Sequence, residues 1–114
     1  PTSNLHKLET LNCSNNQITS LEGINNLTNL YVLFCEHNKI KSLKGINNLN
    51  KLQVICCGRN KIQSLKELSE LINLQSIYCL YNQISLLDGI NNLNNLERFC
   101  CSSNQITSLE SIKN

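Results

Sequence analysis

The sequence predicts an α/β solenoid, a chain wound into stacked coils, and three observations carry that prediction. Cys13, Cys35, Cys57, Cys79 and Cys101 stand 22 residues apart. Asn16, Asn38, Asn60, Asn82 and Asn104 keep the same interval. From Leu8, Leu30, Leu52, Leu74 and Leu96, apolar residues recur at offsets 3, 5, 10, 13, 16 and 19, as in Leu11, Cys13, Ile18, Leu21, Ile24 and Leu27. A fixed period of this size marks an array in which each unit buries its apolar side only against its neighbours.

Each unit opens with alternation around Leu11-Asn12-Cys13, the period of a short strand. The three-residue spacing that follows suits 3₁₀ or tight helical turns facing back inward. At offset 5 a cysteine points into the core and acts as a small apolar residue. Neighbouring parallel strands lie about 4.8 Å apart, which leaves in-register Cβ atoms wider than the roughly 3.8 Å a disulfide prefers. Seven cysteines is also an odd number, and a straight column does not converge tetrahedrally on a metal. Reduced structural thiols, no metal and no cofactor are the expectation, with a cytoplasmic, reducing setting. The recurrent Asn sits where the coil leaves the sheet, and its amide is expected to satisfy buried backbone groups of adjacent coils, forming a ladder.

The pattern L-x-x-L-x-C-x-x-N-x-I-x-x-L-x-G-I-x-x-L, from Leu8 to the end of the chain, resembles the leucine-rich repeat. Its length and the segments SLEGINNL and SLKGINNL look most like the short repeats of the leucine-rich protein phosphatase regulatory subunit and of bacterial internalins. That resemblance implies a right-handed coil with a concave parallel β-sheet and a convex side of 3₁₀ or irregular segments. It suggests phosphatases or host receptors as ligand classes. It transfers no contact residues, because the match lies in the framework positions.

Side chains between the inward strand positions face the concave surface, where the repeat loses its monotony. Offset 4 carries Asn12, Phe34, Cys56, Tyr78 and Cys100, and offset 6 carries Ser14, Glu36, Gly58, Leu80 and Ser102. Offset 2 ends in Arg98, and offset 7 reads Asn15, His37, Arg59, Tyr81 and Ser103. Phe34, Cys56, Tyr78, Leu80 and Tyr81 fall on three adjacent coils and form a candidate anchor for a protein or peptide, with Glu36, His37, Arg59 and Arg98 as its polar rim. Cross-strand packing alone would favour the same residue types. Gly58 leaves room in this face. Cys56 and Cys100, unlike the inward column, are expected to face solvent and to react first with an alkylating reagent. His37 near Cys56 raises the idea of a thiol nucleophile, but no orienting group or oxyanion donor set accompanies it, and no catalytic residue is assigned.

On the convex side GINN recurs at 23–26, 45–48 and 89–92, where glycine supplies backbone freedom. KELSELIN at 66–73 departs from it and has the composition for a more regular helical turn.

Composition bounds the function. The chain has 114 residues, 40% hydrophobic, 4% aromatic and a net charge of +2. That is too apolar for disorder and too balanced for an obligate polyanion binder, so no nucleic acid is expected. No run reaches the roughly 18 apolar residues of a membrane helix, no secretory signal opens the chain, and no membrane partner is expected. The sequence reads as one array over 1–114, five repeats beginning near Leu8, Leu30, Leu52, Leu74 and Leu96. Leu5 is equivalent to Leu27, and Ile112 is followed only by Lys113 and Asn114, so neither end reads as capped. Missing flanking repeats or end-to-end self-association would answer that. The leading function is a non-enzymatic protein-protein interaction module. The alternative is a structural or self-associating element with no soluble ligand.

Overall fold

The computed structural model describes residues 2–106. Five strands of three residues, β1 (Thr10–Asn12), β2 (Val32–Phe34), β3 (Val54–Cys56), β4 (Ser76–Tyr78) and β5 (Arg98–Cys100), form one parallel sheet in chain order. Register advances by one 22-residue unit per strand, so that Leu11 pairs with Leu33, Leu33 with Ile55, Ile55 with Ile77, and Ile77 with Phe99.

The three-residue apolar spacing has a direct backbone cause. In the second coil Ile46 N donates to Leu43 O, Leu49 N to Ile46 O, and Leu52 N to Leu49 O, at 3.0–3.2 Å. Each apolar residue is thus hydrogen-bonded to the one before it, and all of them turn inward together. The equivalent bonds recur in the first, third and fourth coils. Short 3₁₀ helices form at Thr2–Lys7, Ile24–Asn26, Lys66–Leu68 and Ile90–Asn92. KELSELIN therefore gives no more regular helix than its neighbours: Leu68 and Leu71 must keep the inward spacing, and that packing overrides the propensity of the intervening Glu and Lys.

Gly45 shows why the convex corner takes glycine. Its φ is +110°, and a Cβ there would lie 2.7 Å from Leu21 O of the preceding coil. The third unit carries Glu67 at this position without a positive φ, and its 3₁₀ helix starts two positions earlier in the repeat.

In the second and third coils every inward apolar residue is wholly buried, from Leu30 to Leu49 and from Leu52 to Leu71, cysteines included. The asparagine ladder is present. Asn38, Asn60, Asn82 and Asn104 each donate to carbonyls of their own and the preceding coil, and each accepts a backbone N–H from the preceding coil. A second polar column was not foreseen: Asn29, Asn73 and Asn95 donate to His6, Asn50 and Ile72 carbonyls, and Lys51 donates to Asn29 Oδ1. The reading of Ile112, Lys113 and Asn114 as an uncapped end lies outside the described residues.

Candidate functional site

Parallel pairing continues past the strands and sets the width of the sheet face. Cys13, Cys35, Cys57 and Cys79 N–H groups donate to Phe34, Cys56, Tyr78 and Cys100 carbonyls of the following coil. Two residues on, Asn15, His37, Arg59 and Tyr81 donate to Glu36, Gly58, Leu80 and Ser102. These residues and Ser103 all have φ of +57° to +61°. A left-handed conformation costs an L-residue about 1–2 kcal/mol, and here ladder bonds hold it in place on the first four coils. The consequence is a column of exposed side chains, His37, Arg59 and Tyr81 among them, standing at one edge of the sheet.

Within this frame the sequence-derived cluster assembles. Phe34, Cys56 and Tyr78 are in register on β2, β3 and β4. Glu36 and Leu80 follow two residues after Phe34 and Tyr78, both half-buried. Tyr81 is 49% exposed, and the Arg59 guanidinium lies 4.2 Å from its ring centroid. A cation over a tyrosine face on a wet surface contributes about 0.5–1 kcal/mol and holds both side chains flat. Arg98 stands apart, on β5 beside Ser76 and one strand beyond Tyr78. Ser76, expected at the concave surface with the rest of the offset-2 column, is instead buried in this row between Val54 and Arg98. Gly58 is buried, and a Cβ there would lie 3.1 Å from Leu80 O, so the missing side chain relieves a close backbone approach between coils.

Cys56 corrects the expectation of a solvent-facing thiol. It lies between Phe34 and Tyr78 and is only 8% exposed, because strand alternation sets a side chain's direction while its neighbours set its accessibility. Burial, with a smaller contribution from the Glu36 carboxylate, pushes its pKa up to about 11. That is opposite to the activation a nucleophilic thiol requires. All seven cysteines are free thiols. Among the described residues no group of three His, Cys, Asp or Glu is placed to hold a metal ion, and no helix is long and apolar enough to cross a membrane. Alkylation of the native protein at pH 8 should therefore label Cys100 well before Cys56, with Cys35, Cys57 and Cys79 labelled last. Site-resolved mass spectrometry reads the order, and equal rates at Cys56 and Cys100 would contradict the burial of Cys56.

A five-stranded parallel sheet backed by 3₁₀ turns, with a variable outward face over an invariant core, defines a stacked-repeat scaffold. The comparisons agree. A family model, Leucine Rich repeats (2 copies), matches residues 6–48. No curated protein matches the chain. Among solved structures, internalin C2 of Listeria monocytogenes superposes with a TM-score of 0.94 at 28% identity, covering 99% of this chain and 50% of that one. A leucine-rich-repeat protein of Leptospira interrogans gives 0.85 at 35% identity, covering 93% and 28%. The functional domain of InlJ from Listeria monocytogenes, which includes a cysteine ladder, gives 0.85 at 26% identity, covering 96% and 24%. The chain spans half or less of the length of each of these. Residues 6–48 thus match leucine-rich repeats directly, and the described residues have the fold of leucine-rich-repeat proteins.

Proposed function

We propose that this array is a non-enzymatic interaction module that binds a polypeptide on its concave sheet face around Phe34, Tyr78 and Tyr81. Leucine-rich-repeat proteins generally mediate protein-protein interaction. The observation that carries the reading to this face is the join between two rows: the in-register Phe34, Cys56 and Tyr78, and the stacked Arg59 and Tyr81 at the edge. Together they offer a flat, partly apolar surface with a fixed cation beside it, the composition of an interface anchor. The raised thiol of Cys56 weighs against a catalytic use of the same spot. The same reading keeps the seven thiols reduced, in a cytoplasmic setting.

The test begins by selecting binders from a random peptide library displayed on phage against the full chain. A Tyr78→Ala, Tyr81→Ala variant should bind the selected peptides at least tenfold more weakly while melting within a few degrees of the parent. Unchanged affinity would place the binding elsewhere.

A further inference from the structure

Charge is strongly segregated along this chain. Residues 37–66 hold seven of its ten Lys and Arg residues and none of its eight Asp and Glu residues. The remainder carries three cations against eight carboxylates, and the modest net charge of +2 conceals the division. One of the seven, Lys51, donates to Asn29 Oδ1 on the far corner of the coil. The other six, Lys39, Lys41, Lys44, Arg59, Lys61 and Lys66, are exposed, and among the described residues none is neutralised by an ion pair.

The coil geometry gathers these six into a band. Lys39 and Lys61 occupy equivalent positions on adjacent coils, about 4.8 Å apart at the backbone, and both N–H groups are fixed to the preceding coil, on Ile18 O and Ile40 O at 2.8 Å. Lys41, Lys44 and Lys66 continue the band toward the convex side, around a shallow groove that also includes Gln63 and Glu67. Glu67 accepts from Ser42 Oγ at 3.5 Å. Glu22 and Asp88, equivalent to Lys44 and Lys66 on the outer coils, bound the band on either side, and Glu36 borders it on the sheet face. At its inner edge the band meets the sheet through His37 and Arg59, each two residues before Lys39 and Lys61, with Arg59 stacked on Tyr81.

We infer that the second, third and fourth coils bind an acidic polypeptide segment, its carboxylates over Lys39, Arg59 and Lys61 and its apolar side chains on Phe34, Tyr78 and Leu80. This rests on the concave-face reading above and adds the partner's chemistry. Charge complementarity selects an anion. Continuity with the aromatic row selects a polypeptide among anions, because only it supplies apolar side chains together with carboxylates. A phosphate or sulfate polymer would leave the aromatic patch uncovered.

The same displayed library supplies the test. Selected peptides should be enriched in Asp and Glu beside aromatic or aliphatic residues, and their affinity should fall about tenfold or more between 50 and 300 mM NaCl. Lys39→Glu, Lys61→Glu, two substitutions at exposed side chains, should weaken binding at least tenfold with an unchanged circular dichroism spectrum. Selected peptides without acidic enrichment, or indifferent to this charge reversal yet lost on Tyr78→Ala, Tyr81→Ala, overturn the acidic partner and leave the concave site standing. Peptides lost on charge reversal but untouched by the tyrosine changes overturn the concave site and the joint footprint. Tighter binding of a heparin oligosaccharide or a DNA 20-mer than of any selected peptide overturns a polypeptide partner, and a library that yields no binder overturns both readings.

Discussion

Replacing Asn60 with leucine should lower the melting temperature by on the order of 10 °C, more than any single change on the sheet face. The Asn60 amide donates to Cys35 O and Cys57 O at 3.0 Å and to Gly58 O at 3.2 Å, and its oxygen accepts from Ile40 N at 3.0 Å. The three carbonyls would each keep one partner, from Asn38, Asn82 and His37 N respectively. Ile40 N–H would keep none, and Ile40 is wholly buried. One orphaned buried donor costs about 1–3 kcal/mol, and forcing a branched apolar side chain into an amide-lined slot adds to it. For a domain of this size each kcal/mol moves the midpoint by about 4–8 °C. Asn16 provides the internal control. It donates only within its own coil, to Cys13 O and Ser14 O, so Asn16→Leu strands nothing on a preceding coil and should cost much less. A thermal melt followed by circular dichroism reads both variants, and equal losses would reject a ladder running between coils.

The difference between those two asparagines shows what the sequence could and could not convey. Stacking places every equivalent residue in an equivalent environment, so the period alone located the inward column, the sheet register and the ladder. Leu33, Cys35, Ile55 and Cys57 are wholly buried because no other arrangement of a 22-residue coil covers them. The left-handed column was not legible, since it is a backbone state that accompanies inter-coil bonds at residues as unlike as Asn15, His37, Arg59 and Tyr81, with no glycine to mark it. The accessibility of Cys56 was not legible either. Alternation gives its direction, but Phe34 and Tyr78, 22 residues away on either side, close over it. The basic band was legible in principle, in the run from His37 to Lys66, and a chain-wide net charge averaged it away. Helix propensity misled in KELSELIN, where two inward leucines dictate a three-residue spacing.

The cysteine column should also make this protein sensitive to alkali. Burial, and then neighbouring thiols in and beside the column, push Cys79 up to about 12 from an ordinary value of 9.0, and push Cys35 and Cys57 well above 9.0. The folded state therefore holds these protons more tightly than the unfolded state. Below pH 9 both states are protonated and the column's contribution is fully present. Above pH 9 only the unfolded chain releases protons, so stability falls with rising pH, and the loss continues toward pH 12, where Cys79 ionises in place. Each thiol that ionises only on unfolding contributes a slope of about 1.4 kcal/mol per pH unit, and these three with Cys56, which is pushed up to about 11, give about 6 kcal/mol per pH unit. In the presence of a reductant, the melting temperature should stay nearly level from pH 7 to 8.5 and then drop steeply by pH 10. Cys57→Ala separates the column from other alkaline effects. It lowers stability at pH 7 by opening a small void, yet removes one of the four titrating groups and should make the decline about one-quarter shallower. A level melting temperature through pH 10, or an undiminished slope in Cys57→Ala, would show that the thiols are solvated in the folded protein and that the column is not its core.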